Sequence, residues 1–96
     1  MTHDELLDLV DAEARRRGCL VYWTRDSRRS VPGYPDLTIA GRRGVAWIEV
    51  KTGGGRLKPR QTAWRWMLLA SGQRYLVVRP ADWEAGTIQA ALARLV

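Results

Sequence analysis

The chain has a single cysteine, a single histidine and no phenylalanine among its 96 residues. One cysteine, Cys19, excludes an internal disulfide framework, so the small size is not offset by cross-links. His3 and Cys19 are isolated residues without partner ligands, and a zinc centre is not expected. No apolar run reaches the length of a membrane span or a signal-peptide core, so a cytosolic setting is the expectation. The glycines of "VKTGGG" follow the Lys-Thr pair instead of preceding it, which rules out a phosphate loop of the usual kind. Acidic residues are the scarcer sign, 10 against 16 Lys and Arg, for a net charge of +6. That imbalance points to a polyanionic partner, nucleic acid before membrane; a merely solvated basic surface is the plainer alternative.

What is present is enough to fold. Hydrophobic residues make up 46% of the chain, five of them tryptophan, which argues against disorder. One domain spanning residues 1–96 is expected. It lies near the lower limit for closing a core, so oligomerisation is a natural source of further burial.

Leu6, Leu7, Val10 and Ala14 recur at helical spacing between Asp4 and Arg17, with Thr2 or Asp4 as cap and Gly18 as stop. "CLVYWT" (19–24) reads as a strand. "DLTIA" and "VAWIEVK", joined by "GRRG" at 41–44, read as a hairpin over 36–51. Three consecutive glycines in "TGGGRLK" predict a flexible loop. Pro59 opens a helix whose face is marked by Trp64, Met67, Leu68 and Ser71. "RYLVVR" is a strand, and Ala81 to Leu95 a final helix. The expected order is α-β-β-β-α-β-α: an α/β domain with a small mixed sheet flanked by helices.

The stretch "GYPDLTIAGRRGVAWIEVKTGGGRLKPRQ" (33–61) carries the chemistry. Alternation puts Glu49 and Lys51 on one side of their strand and Ala46, Ile48 and Val50 on the other. Four residues lie on either side of "GRRG" before Asp36 and Glu49 are reached, which makes the two carboxylates approximate cross-strand neighbours. Like charges so placed destabilise a sheet unless neutralised. A hard divalent ion such as Mg²⁺ would do this and would activate water near a phosphoryl group, with Lys51 assisting. The plainer alternative is a cross-strand salt bridge from Lys51.

The same residues resemble a family. Gly33-Tyr34-Pro35-Asp36-Leu37, Ile48-Glu49-Val50-Lys51 and Gly55-Arg56-Leu57-Lys58-Pro59 with Gln61 are similar to the PD-(D/E)xK nuclease superfamily, and within it to the virus-type replication-repair nuclease (VRR-NUC) domain, over nearly the whole chain. The resemblance implies a restriction-endonuclease-like core and metal-dependent hydrolysis of DNA, with Mg²⁺ or Mn²⁺ as cofactor. Asp36, Glu49 and the Val50 carbonyl would be metal ligands, Lys51 the catalytic lysine and Gln61 a residue beside the site. It also implies an acid from the first helix. Glu5 matches the family's usual placement, while Glu13 lies nearer the centre of the apolar face.

Arg25, Arg28 and Arg29, and Arg56, Lys58 and Arg60, flank this stretch and are candidate phosphate contacts. Arg42 and Arg43 fall at the far end of the hairpin. Trp64 and Trp66 cannot share a helix face, so one is left for a neighbouring subunit or the surface; Trp23, Trp47 and Trp83 are expected in the core. A stand-alone nuclease of phage or bacterial type, acting as a homodimer on branched DNA such as a four-way junction, is the reading that results. Its rivals are a flap or single-strand nuclease with the same site, and an inactive DNA-binding or assembly module.

Overall fold

The computed structural model describes residues 1–23 and 30–96. Helix α1 spans His3–Arg16. Thr2 caps it reciprocally: its Oγ1 accepts from the Glu5 N–H at 3.1 Å, and Glu5 Oε1 accepts from the Thr2 N–H at 3.0 Å. Two of the donors that a helix start leaves open are thereby satisfied. Gly18, at a φ of 91°, ends the helix as read.

Four strands follow the hairpin logic: β1 (Leu20–Tyr22), β2 (Leu37–Gly41), β3 (Gly44–Val50) and β4 (Arg74–Val78), in the sheet order β1-β2-β3-β4. β1–β2 and β2–β3 are antiparallel, and β3–β4 is parallel. A parallel neighbour requires a crossover, and helix α2 (Pro59–Ala70) provides it. One sheet face, with Leu37, Ile39, Ala46, Ile48, Val50 and Val78, forms a single cluster with Leu6, Leu7, Val10 and Ala14 of α1 and with Ile88, Leu92 and Leu95. Each fully buried Leu, Ile or Val there contributes about 1.5–3 kcal/mol relative to exposure, which fixes α1 and the hairpin against one another.

Two elements depart from the sequence expectation. The C-terminal helix is broken into α3 (Pro80–Glu84) and α4 (Thr87–Ala93). The break is at Gly86, whose φ of 79° lies in the left-handed region that glycine enters without penalty. The turn lets Trp83 pack against the edge of the core while Ile88 and Leu92 enter it. On α2 the inward face is Gln61, Trp64 and Leu68, all half-buried, whereas Met67 is 63% and Trp66 66% exposed. Contacts of Gln61 and Trp64 with the sheet side, described below, rotate the helix so that Met67 turns outward.

Candidate active site

The loop before β2 is built to touch α2. Gly33 has a φ of 85°, and a Cβ there would lie 2.5 Å from the Arg60 carbonyl carbon, so only glycine permits this approach. Tyr34 follows as a junction. Its hydroxyl shares a hydrogen bond with Thr38 Oγ1 at 2.8 Å and accepts from Trp47 Nε1–H at 3.0 Å. Its ring meets Trp64 edge-on at 4.9 Å, a favourable aromatic geometry.

Asp36 then stands at the mouth of the hairpin. The register pairs Leu37 with Ile48, which places Asp36 opposite Glu49 as the symmetry about "GRRG" predicted. Asp36 Oδ2 accepts from the Val50 N–H at 2.8 Å, so a side chain takes over where the main-chain ladder ends. Glu49 is only 3% exposed. Its Oε2 accepts from Gln61 Nε2–H at 3.2 Å and lies 3.4 Å from Lys51 Nζ, while Oε1 is buried with no hydrogen-bond partner among the described residues. Burial, reinforced by the negative charge of Asp36 and opposed by Lys51, raises the Glu49 carboxyl from its ordinary 4.5 to about 7. The salt bridge to Lys51 is therefore real but insufficient: a carboxylate satisfied by its lysine would titrate low.

Sequence reasoning passed over two neighbours of this pair. His3 Nε2 is 3.3 Å from Asp36 Oδ2, so it is His3 that the first helix brings to the site. Tyr75 of β4 is buried, its hydroxyl without a hydrogen-bond partner among the described residues, and burial together with the charge of Glu49 pushes it up to about 12. The pairings Trp47–Tyr75 and Glu49–Val77 put Tyr75 on the Glu49 face; alternation along a parallel β4 was the signal for it.

The two first-helix acids lie elsewhere. Glu5 is exposed and committed to the Thr2 cap, which lowers its carboxyl; at about 100° per residue it projects some 200° away from His3. Glu13 is buried at the far end of α1, about 15 Å along the axis from His3, where Arg17 Nε–H donates to it at 2.8 Å and Arg16 also binds it. Arg17, with Arg16 beside it, holds this carboxyl below its usual range. The structure thus brings together Asp36, Glu49, Lys51 and Gln61, and brings neither Glu5 nor Glu13 to them. Lys58 and Arg60 line a groove with Pro32, Gly33 and Gln61, and Arg56 is exposed. Arg25, Arg28 and Arg29 lie outside the described residues.

The family model described as the VRR-NUC domain matches residues 1–82. The chain belongs to that family. A solved structure described as "VRR_NUC domain" is similar to it at 20% identity over 98% of this chain and 97% of its own, with a TM-score of 0.74. Another, described as "VRR_NUC domain protein", has 26% identity over 94% and 87%, with a TM-score of 0.69. Among curated proteins no significant match is found. A VRR-NUC domain is a nuclease of the PD-(D/E)xK type, a class that acts on nucleic acid and generally uses divalent metals. The donor set here fits such an ion, since Glu49 Oε1 is a buried oxygen without a protein donor and Asp36 repels its carboxylate. Among the described residues, no group of three or more His, Cys, Asp or Glu side chains that could hold a metal ion is present. No helix among the described residues is long and apolar enough to cross a membrane.

Proposed function

We propose that this VRR-NUC domain is a metal-dependent DNA endonuclease that hydrolyses phosphodiester bonds in branched DNA as a cytosolic homodimer. The observation that carries the reading is the Asp36–Glu49 pair, a buried carboxylate held beside another and only partly neutralised by Lys51. Asp36, Glu49 and the Val50 carbonyl are the groups that would hold Mg²⁺ or Mn²⁺. When bound, such an ion supplies Lewis-acid polarisation of the phosphodiester and a stronger nucleophile from water at neutral pH.

The residues do the rest. Lys51 provides a fixed positive charge on the Glu49 side, where negative charge builds on the phosphoryl oxygens, and can orient the attacking water. Gln61 keeps Glu49 turned toward Asp36. Lys58 and Arg60 along their groove, with Arg56 and the loop arginines Arg25, Arg28 and Arg29, bind the phosphates flanking the scissile bond and make affinity salt-dependent. The outward face of α2, with Trp66, Met67 and Leu69 exposed, supports self-association, because a helix apolar on both faces is ordinarily covered on both. Two sites in a dimer would suit the two strands of a four-way junction.

The test is cleavage of junction, flap, duplex and single-stranded DNA with Mg²⁺, Mn²⁺ or EDTA, alongside Lys51→Ala. Junction cutting that disappears in EDTA and in the variant is expected. Cutting that survives either removes the mechanism, and preferential cutting of flap or single strand moves the substrate assignment. A protein that sediments as a monomer at micromolar concentration removes the dimer.

A further inference from the structure

Three consecutive glycines give the turn after β3 little conformational preference of its own, yet the structure ties it down at both ends. The Gly55 N–H donates to the Thr52 carbonyl at 3.2 Å, with Gly53 at a φ of 58°. The Gly55 carbonyl in turn accepts from Arg79 Nη2–H at 2.8 Å. A Cβ on Gly55 would stand 3.6 Å from Lys51 Cδ, so the clamped turn lies along the stem of the lysine.

Arg79 reaches this point because of how the sheet ends. β3 and β4 run parallel with Val50 opposite Val78, and the Lys51 N–H donates to the Val78 carbonyl at 3.0 Å. The next residues, Lys51 and Arg79, are therefore neighbours, and alternation puts both on the Glu49 face. Arg79 is in extended backbone, φ −128° and ψ 164°, as the residue before α3, and its N–H donates to Asp82 Oδ2 at 2.8 Å. Giving the guanidinium a carbonyl to bind leaves the Glu49 carboxylate to Lys51, whose Nζ stands 3.4 Å from Oε2 and whose side chain is 14% exposed.

We propose that Arg79 is a positioning residue: by fixing the glycine turn through the Gly55 carbonyl, it confines the Lys51 stem and keeps the ammonium on the Glu49 side of the site. The inference rests on the reading of Lys51 as a residue of a nuclease site. A lysine carries its charge on a flexible four-carbon stem, whereas the planar guanidinium is pre-organised for its hydrogen bonds. A group that must stand at one point in the transition state loses much of its effect when displaced by about 1 Å. Holding the stem from the side restricts the lysine without using its charge.

The chain has two lysines, Lys51 and the exposed Lys58, so each can be read against the other. Arg79→Met keeps the aliphatic stem and removes the donors; Arg79→Lys returns one. Limited acetylation with acetic anhydride, quantified by mass spectrometry, is expected to modify Lys51 several-fold faster relative to Lys58 in Arg79→Met than in the wild type. Arg79→Lys is expected to fall between them, and carries the comparison alone if Arg79→Met does not fold. In DNA cleavage with Mg²⁺, Arg79→Met is expected to lower kcat about tenfold or more, with KM and the salt dependence of binding unchanged. Unaltered Lys51 acetylation overturns the proposal, as does a released Lys51 with undiminished kcat. A raised KM with a shallower salt dependence at unchanged kcat also overturns it, and makes Arg79 a phosphate contact. A wild-type protein that cuts no DNA overturns the nuclease reading, while a several-fold release of Lys51 in the variant still upholds the clamp.

Discussion

Glu13 and Glu49 are the two buried acids among the described residues, 6% and 3% exposed, and they behave oppositely. Glu13 lies where α1 delivers Arg16 and Arg17 one turn away, so both its oxygens are bound and its carboxyl is lowered. Glu49 lies where two strands deliver another carboxylate, one of its oxygens has no partner among the described residues, and its carboxyl rises to about 7. Burial alone therefore does not mark a functional acid. What separates the two is whether the neighbours supplied by the fold answer the charge.

The sharpest way to break the comparison is to remove both charges in turn. Glu49→Gln is expected to cut DNA cleavage by about a thousandfold or more, the scale of losing a group that acts on transition-state charge, while Glu13→Gln leaves turnover per folded molecule unchanged. Equal losses in single-turnover assays would erase the distinction.

The next effect is in stability against pH. Between pH 4.5 and about 7 the native protein keeps a proton on Glu49 that the unfolded chain has released. Metal-free stability thus falls as pH rises through this window and levels off above it, by on the order of 2–3 kcal/mol. Urea midpoints across the window would show it. Glu49→Gln should flatten the curve and be the more stable protein at pH 8, and Mn²⁺ should restore wild-type stability there by mass action. For Glu13 the sign is reversed: its lowered carboxyl contributes above the ordinary carboxyl range, and the contribution fades as pH falls through its native value.

Smaller still, Glu13→Gln at neutral pH is expected to cost about 1–2 kcal/mol, typical for hydrogen bonds to charged groups, read as a lower urea midpoint. Glu5→Ala should lower the urea midpoint slightly through the loss of the α1 cap, with cleavage retained. A large loss of cleavage in Glu5→Ala would return Glu5 to the site.

The difference between near and far interactions also explains what was legible beforehand. The Asp36–Glu49 juxtaposition followed from a short turn and strict alternation, both local properties, and the register bears it out. The first-helix residue was not legible in that way. A helical wheel shows which side of α1 faces inward but not which end meets the hairpin, so Glu13 looked central although it lies at the wrong end, and His3 appeared to have no partner. Tyr75 was hidden for a related reason, since its face depends on parallel pairing across the α2 crossover. The break at Gly86 and the outward turn of Met67 likewise depend on contacts made only after the chain closes.

Gln61 gives the site one property that has to do with mechanics more than chemistry. Its Oε1 accepts from the Lys58 N–H at 2.9 Å while its Nε2 donates to Glu49, so a single amide holds the start of α2 at one end and a buried carboxylate at the other. Glutamate in its place could serve the helix but would set a third negative charge against the pair. The groove lined by Lys58 and Arg60 and the carboxylates are thus joined through one side chain, so under the proposed function a pull on Glu49 would be felt at the start of the helix that carries the phosphate-binding residues.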